Sequence, residues 1–258
     1  MPTTTHHTPG PLDLDIRVQA GRIEIDTADT DETTVDIDPL DGGDAGRAAV
    51  ETARQELRPS GDGHRLVIDI PRRPRLFGWN EPEVSVRVRC PRGAGVIAKT
   101  ASADVEVRGR AGAVSTKTAS GDVTLEAAGD VDVKTASGDI SVGLAAGRAS
   151  LNTMSGDIVL DQADGAVSAH TMSGDVRAER LTTGTVELRT MSGDIVATVR
   201  VGATLWIDAS SMSGEVSSDL PVSDSAPTGR RTDIELRASS MSGDIDLRRA
   251  EEASTAGA

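Results

Sequence analysis

The sequence has very few aromatic residues. Of 258 residues, only Phe77, Trp79 and Trp206 are aromatic, and there is no tyrosine. A globular enzyme of this length normally fills a thick core with several Phe and Tyr side chains. A core built from Val, Ile, Leu, Ala and Thr indicates thin stacked layers instead. The shortage also disfavours a polysaccharide-processing enzyme, because such enzymes usually stack sugars on aromatic rings.

Cysteine is almost as rare, since Cys90 is the only one. A single cysteine allows no internal disulfide and no cysteine-rich zinc site. Its surroundings, VRVRCPRG, contain no pattern of a nucleophile with a base. A cysteine at the end of a strand is usually a small packed residue, and that is the role we expect for Cys90.

Basic residues are outnumbered by acidic ones, and long apolar runs are absent. There are 27 Lys and Arg against 41 Asp and Glu, which gives a formal net charge of −14. This charge repels phosphate, so we expect no nucleic-acid binding. No run of about 18 apolar residues occurs, so no membrane insertion is expected. The N-terminal MPTTTHHTPGP lacks the charged start and apolar centre of a secretory signal, which predicts a cytoplasmic protein.

What the sequence does contain is a repeat. The tripeptide Ser-Gly-Asp, or a close variant, occurs eight times, at successive spacings of 18, 17, 18, 18, 19, 21 and 29 residues. An alternating run precedes each tripeptide and another follows it, as in VDVKTASGDISV at residues 131–142. Such alternation predicts strands, and Gly, Ser and Asp mark turns. Two short strands cannot bury an apolar face alone, so the units must stack, with parallel strands about 4.8 Å apart.

The repeat therefore predicts an all-β protein, a single-domain parallel β-solenoid with two-strand rungs of about 18 residues. Residues 45–57 are rich in helix formers and predict either a short surface helix or a floppy insertion. Loops are predicted at residues 72–82 and 217–232. The predicted segments are a disordered tail at 1–11, an irregular N-terminal β part of the solenoid at 12–92, the regular solenoid at 93–249 and a disordered tail at 250–258.

The alternation also predicts which side chains face inward. In the first strands the inward residues are Val114, Val131, Leu151, Val167, Val186 and Leu205, followed by Thr118, Thr135, Thr153, Thr171 and Thr190. In the second strands they are Val123, Ile140, Ile158, Val176, Ile195 and Ile245. Outward positions of the first strands are polar and vary: Lys99, Lys117, Lys134, Asn152, His170 and Arg189.

The serial motifs KTASGDV, KTASGDI, NTMSGDI, HTMSGDV and RTMSGDI resemble those of the bacterial adhesin-like β-solenoids, also called toast-rack domains. The resemblance extends over about residues 12–248. It implies a single-stranded, right-handed β-helix without enzymatic activity. Many members of that family lie outside the cell on membrane anchors in envelope-stress systems, which implies a role in sensing or assembly.

The acidic residues of the tripeptides are predicted to form a column along one corner. The column consists of Asp104, Asp122, Asp139, Asp157, Asp175, Asp194, Glu215 and Asp244. Carboxylates about 5 Å apart repel by roughly 1 kcal/mol per neighbour in water, so something must offset this repulsion. We favour turn capping, in which each Asp accepts backbone N–H bonds of its own turn and the Ser hydroxyl helps. The alternative is a row of bound cations; we expect no metal and no cofactor.

The methionines occupy one repeat position. All five other than Met1 directly precede Ser-Gly-Asp, where earlier repeats have alanine. Two interpretations stay open: the corner turns these side chains into a wider core, or they form an exposed stripe that binds a partner. Together with Trp206, which is predicted to face outward, the candidate interaction stripe consists of Met154, Met172, Met191, Met212 and Met241.

No catalytic constellation is recognisable, because the histidines have no paired carboxylate and no nucleophile or phosphate motif occurs. We predict a non-catalytic scaffold that binds a protein partner or forms a homo-oligomer, in a bacterial stress or sensing context. The alternatives are a β-helix carbohydrate-active enzyme and a cell-surface adhesin. The C-terminal half is expected to supply the contact surface, and the strand at residues 245–247, followed by Arg248 and Arg249, is expected to end the rod.

Overall fold

The computed structural model describes residues 3–40, 43–71, 82–220 and 232–250, and these residues form strands and one helix. Residues 72–81 of the predicted loop at 72–82, residues 221–231 of the predicted loop at 217–232 and residues 251–258 of the C-terminal tail lie outside this range. In chain order the elements are β1 (Thr4–His7), β2 (Leu12–Ala28), β3 (Glu32–Pro39), α1 (Asp44–Thr52), β4 (Arg54–Ser60), β5 (Gly63–Asp69), β6 (Glu83–Pro91), β7 (Gly95–Arg110), β8 (Val114–Lys117), β9 (Val123–Ala128), β10 (Val131–Lys134), β11 (Ile140–Ala145), β12 (Ala149–Asn152), β13 (Ile158–Ala163), β14 (Val167–His170), β15 (Val176–Leu181), β16 (Gly184–Ser192), β17 (Ile195–Val199), β18 (Leu205–Ser213), β19 (Val216–Ser218), β20 (Ile234–Ser242) and β21 (Ile245–Arg249).

The strands form a parallel β-solenoid, in which each turn of the chain stacks on another. Strand β10 pairs in parallel with β8 on one side and with β12 on the other. Strand β11 pairs in the same way with β9 and β13. The two strands of a rung therefore belong to two stacks, called here sheet A, which contains β8 and β10, and sheet B, which contains β9 and β11. The predicted all-β solenoid with two-strand rungs is confirmed.

The interior consists of small aliphatic side chains, as the composition indicates. The predicted inward residues of the second strands are all buried, and each contributes about 1.5–3 kcal/mol relative to an exposed side chain. In the first strands the register differs in one detail. Val131 pairs with Ala149 and Val133 pairs with Leu151, so Leu151 occupies the second inward position of its strand rather than the first.

Seven of the eight tripeptides contain glycine, and the close approach of successive corners requires it there. A Cβ atom added to Gly156 would lie 2.2 Å from the carbonyl oxygen of Gly138, and one added to Gly174 would lie 2.1 Å from that of Gly156. Carbon and oxygen atoms cannot approach this closely without the backbone moving. The repeat of glycine therefore follows from the stacking distance.

The N-terminal part is more ordered than the sequence predicts. Thr4–His7 forms β1, which pairs antiparallel with β3, so the prediction of a disordered tail at 1–11 is wrong for these residues. Strand β2 is long enough to belong to both sheets. It carries Gly21 with φ of 121°, where a Cβ atom would lie 2.0 Å from the carbonyl oxygen of Val84.

Residues 45–57 are divided between a helix and a strand. Helix α1 has Asp44 in its first turn, which suits the positive end of the helix dipole, and it buries Ala49 and Val50. After Thr52 the chain is extended and forms β4, which pairs antiparallel with β5. The floppy-insertion alternative is therefore wrong. In the part of the chain that the structure describes, no helix is long and apolar enough to cross a membrane.

The last two rungs do not stack in chain order. Strand β16 pairs with β20, and β20 pairs with β18. Likewise β17 pairs with β21, and β21 pairs with β19. The last repeat is thus inserted between two earlier rungs, and the prediction that residues 245–247 end the rod is wrong. The end of the solenoid is formed by β18 and β19, called here the terminal rung. The spacing of 29 residues before the last repeat is long enough for the chain to pass from β19 back to the position of β20, next to β16.

Candidate functional site

The carboxylates of the tripeptides form a hydrogen-bonded column, called here the Asp ladder. The backbone N–H of Asp139 donates to Oδ1 of Asp122 at 2.9 Å, and that of Asp157 donates to Oδ1 of Asp139 at 2.9 Å. The same bond, at 2.7–3.1 Å, joins all members in the spatial order Asp104, Asp122, Asp139, Asp157, Asp175, Asp194, Asp244, Glu215. Each bond connects two rungs, so the prediction that these bonds lie within a single turn is wrong.

The hydroxyl group that stabilises the corner comes from threonine rather than from the expected serine. The N–H of Gly138 donates to Oγ1 of Thr135 at 3.1 Å. Oγ1 of Thr153, in the next rung, donates to the carbonyl oxygen of Gly138 at 3.3 Å. The inward threonine therefore connects its corner to the neighbouring one.

The ladder bonds offset the repulsion between neighbouring carboxylates. A hydrogen bond to a charged group contributes about 1.5–3 kcal/mol, which exceeds the roughly 1 kcal/mol of repulsion between exposed neighbours. The ladder bonds are therefore sufficient to offset the repulsion without a bound cation. Within residues 3–40, 43–71, 82–220 and 232–250, no group of three or more His, Cys, Asp or Glu side chains is arranged to hold a metal ion.

The five methionines form a continuous exposed stripe, called here the Met column. The N–H of Ser173 donates to the carbonyl oxygen of Met154, and that of Ser192 donates to that of Met172, which places these rungs side by side. In spatial order the exposed fractions are 54% for Met154, 46% for Met172, 44% for Met191, 48% for Met241 and 80% for Met212. The interpretation that these side chains fill the core is wrong, because the Thr or Ser directly before each methionine takes the inward position.

Trp206 is separate from the Met column. It is an exposed residue near the start of β18, while Met212 lies six residues further along the same strand, about 20 Å away. The guanidinium of Arg237 lies 5.4 Å from the centroid of its ring. This cation–π contact holds the indole against the neighbouring strand, with a contribution of about 0.5–1 kcal/mol at an exposed site.

A row of exposed cations crosses the N-terminal half of sheet A. Arg17 pairs with Lys99, Lys99 with Lys117, and Lys117 with Lys134, so that four basic residues lie directly opposite one another on consecutive strands. These four residues are called here the basic row. Like charges directly opposite each other destabilise a sheet. These four cations are nevertheless aligned on one face of a protein whose net charge is −14. The row cannot be recognised from the sequence, because only the register brings Arg17 of β2 next to Lys99.

The basic row is only partly neutralised. Nη2 of Arg17 lies 3.2 Å from Oδ2 of Asp15, and Nζ of Lys134 lies 3.7 Å from Oδ1 of Asp132. Lys99 and Lys117 have Ile97 and Ser115, instead of a carboxylate, at the equivalent position two residues earlier. The next positions of the same row are Asn152, His170 and Arg189.

Cys90 is a packed residue, as the sequence indicates. Its side chain is completely buried. Burial raises the pKa of the Cys90 thiol to about 12, and the nearby Asp26 carboxylate contributes in the same direction. The thiol is therefore protonated at neutral pH.

Comparison with known proteins gives one family and several similar structures. A sequence model of the Toastrack DUF4097 family matches residues 12–248. A comparison with curated proteins finds no significant match. A solved structure from Bacteroides fragilis, described as a candidate adhesin, is 15% identical, with a TM-score of 0.52 and 96% of both chains covered. Another from Parabacteroides merdae, described in the same way, is 10% identical, with a TM-score of 0.49 and coverage of 97% of this chain and 96% of that chain. The first of these likenesses shows a shared fold.

Proposed function

The chain belongs to the Toastrack DUF4097 family, and we propose that it is a non-catalytic scaffold that binds an acidic protein segment along sheet A. The segment lies over the basic row with its carboxylates and over the Met column with apolar side chains. The context is a bacterial stress or sensing system, and the binding role agrees with the adhesin description of the Bacteroides fragilis structure.

The observation that carries this proposal is the exposure of the whole Met column. Isolated exposed apolar residues are common on protein surfaces, but five adjacent ones form a stripe about 19 Å long. Methionine side chains are flexible and polarisable, so such a stripe adapts to different apolar groups. Covering it would remove apolar surface from water at about 25 cal/mol per Å².

The basic row determines the charge of the partner. It concentrates four cations on one face of a chain whose net charge is −14. A partner with carboxylates would relieve the repulsion between Lys99 and Lys117 and would be attracted to this face over others. Charge complementarity of this kind mainly increases the association rate and the specificity.

The row and the column follow each other along the solenoid axis. From β2 to β18 sheet A has nine strands, and eight spacings of about 4.8 Å give roughly 38 Å. An extended segment of about 11 residues covers this length. Its acidic part would lie near Lys99 and its apolar part near Met191.

Selection of displayed random 12-residue peptides on the immobilised protein tests this proposal. We expect the selected peptides to be enriched in Asp and Glu together with Leu, Phe or Trp. Their binding should weaken at least 10-fold with Lys99→Glu/Lys117→Glu and with Met172→Ser/Met191→Ser. Arg177→Glu, an exposed residue of sheet B, is the control and should leave binding unchanged. Peptides without acidic residues, or equal binding by all variants, would contradict the proposal.

A further inference from the structure

The two ends of the solenoid are built differently. At the N-terminal end, sheet A finishes with β4, which pairs antiparallel with β5, and sheet B finishes with β3 and β1, which are also antiparallel. Helix α1 packs against β3 and β6 there. At the other end, β18 pairs only with β20, and β19 only with β21, among the described strands. No described strand therefore pairs with the outer edge of the terminal rung.

The terminal rung also leaves apolar side chains partly uncovered. Leu205 and Ile207 are only partly buried, whereas Ile234 and Leu236, their register partners on β20, are completely buried. Val216 of β19 is 43% exposed. These side chains have the inward or core-edge positions of a rung, but within residues 82–220 and 232–250 no further rung covers them.

The edge lacks the charges that usually prevent strand pairing. Exposed edge strands are commonly protected by lysine, proline, bulges or a covering loop. In β18 the only charged side chain is Asp208, and β19 has none. Nothing in the composition of these two strands opposes the addition of another strand.

We infer that the terminal rung pairs with the terminal rung of a second copy of this chain, β18 antiparallel to β18, about a twofold axis. Full overlap of the nine residues Leu205–Ser213 places Ala209 opposite its own copy. Trp206 then lies opposite Met212, and Asp208 lies opposite Ser210. The indole meets a thioether, a favourable contact, and no like charges face each other.

Other registers of the same pairing are less favourable. A shift of one residue would place the inward side chains of one copy opposite the outward side chains of the other. Moving the axis to Asp208 would place the two Asp208 carboxylates face to face. Moving it to Ser210 would bring Trp206 opposite Gly214 and leave Leu205 beyond the strand. The full-overlap register is therefore selected by both burial and charge, and this self-complementarity favours a second copy as the partner.

Sedimentation equilibrium of the full chain tests the pairing at 0.15 M salt, where the Debye length of about 8 Å screens much of the repulsion between two chains of net charge −14. Ser210→Lys would place a lysine opposite Asp208 twice per dimer, and Ser210→Asp would place a carboxylate there. Cross-strand charge pairs predict that the dimer dissociation constant decreases about 2- to 30-fold for the first variant and increases by the same factor for the second. The double variant Asp208→Lys/Ser210→Asp should restore dimerisation.

Two controls make the result specific to this register. Ser141→Lys and Ser141→Asp change the net charge equally at an exposed position of sheet B and should not alter the dissociation constant. Oxidation of Ala209→Cys should give a covalent dimer, because directly opposed Cα atoms lie about 4.5–5.5 Å apart. Ser210→Cys should not give a covalent dimer, because the Cα atom of residue 210 would lie roughly 8 Å from that of its copy, beyond disulfide range.

A protein that stays monomeric up to 0.5 mM, or Ser210 variants that do not differ from the Ser141 variants, would overturn the inference. A dimer that Ala209→Cys fails to trap would place the contact elsewhere and overturn it too. The experiment uses the protein alone and the edge of β18, so its failure leaves the proposed binding along sheet A untouched, and failure of the peptide selection leaves the pairing untouched.

Discussion

The backbone N–H of Asp175 donates a hydrogen bond of 2.8 Å to Oδ1 of Asp157, which lies in the neighbouring rung. Every Asp of the ladder after Asp104 is therefore both a donor, through its backbone, and an acceptor, through its side chain. The side chain of one repeat thus compensates a backbone group of another. This relationship explains why the acidic residue recurs at the corner despite the repulsion between neighbours.

Replacement of Asp157 separates its role as an acceptor from its charge. Asp157→Ala should lower the free energy of unfolding by about 0.5–1.5 kcal/mol. The N–H of Asp175 loses a bond to a charged group of about 1.5–3 kcal/mol, and the end of the repulsion with Asp139 and Asp175 offsets part of that loss. Asp157→Asn keeps an oxygen acceptor and should cost less. Urea unfolding measures both, with Asp161→Ala, an exposed residue outside the ladder, as the control. Equal losses for Asn and Ala would show that the charge, rather than the acceptor, stabilises the corner.

Gly156→Ala should be strongly destabilising, by more than about 2 kcal/mol, because the new methyl group would collide with the carbonyl oxygen of Gly138. Gly129→Ala is the matched control, since a Cβ atom there would lie 3.2 Å from the carbonyl oxygen of Gly112 and needs only a small adjustment. In thermal unfolding, Gly156→Ala should therefore have a clearly lower melting temperature than Gly129→Ala. Similar melting temperatures would mean that the corners can separate without cost.

The triple variant Met172→Ser/Met191→Ser/Met212→Ser should keep the stability of the parent protein within about 1 kcal/mol, because these side chains are 44–80% exposed. Leu160→Ala, at a completely buried position, should instead lose about 2–5 kcal/mol. Chemical unfolding of both variants gives the comparison. A loss of several kcal/mol in the triple variant would place the methionines in the core.

Chelation should leave the melting temperature unchanged. The ladder carboxylates already accept backbone hydrogen bonds, so we expect their stacking to need no cation. Melting with and without excess EDTA at one ionic strength provides the measurement. A decrease of many degrees that added calcium reverses would reveal a bound cation, because a ligand of the folded state stabilises it by mass action.

The buried thiol of Cys90 predicts a pH effect. The folded pKa is raised to about 12 from an ordinary value of 9.0, so the unfolded chain ionises first as the pH increases. The stability of the parent protein relative to Cys90→Ala should therefore be constant below pH 8 and should fall between pH 9 and 11. Melting of both proteins across this range measures the difference, which also cancels the titration of lysines. A constant difference up to pH 11 would contradict the predicted burial of the thiol.

The repeat made most of the fold predictable, because alternation and turn residues agree in every unit. The order of the last rungs was not predictable in the same way. Leu205 and Ile234 begin strands with the same pattern, and either order buries the same faces. Only the spacing of 29 residues before the last repeat indicated an irregularity. The strand Thr4–His7 was missed because four polar residues carry no apolar alternation.

The candidate surfaces were predictable only in part. The position of the methionines in the repeat was visible, but alternation fails at a corner, so their exposure required the structure. The basic row joins Arg17 to Lys99 across a long stretch of sequence, and no local pattern encodes that neighbour. The acceptor role of the Asp ladder was recognised, but which backbone it serves depends on the stacking register.

The insertion of the last repeat has a consequence for folding. A solenoid whose rungs stack in chain order can elongate one rung at a time from the N-terminal end. Here β20 lies between β16 and β18 in the finished solenoid. The terminal rung therefore reaches its position only after the C-terminal residues have been synthesised. We expect the two final rungs to associate first and to dock as one unit in a late, slow step, because loop closure over about 50 residues precedes it. Reversal of that step would shorten the rod by two rungs at once and leave β16 and β17 as its open end.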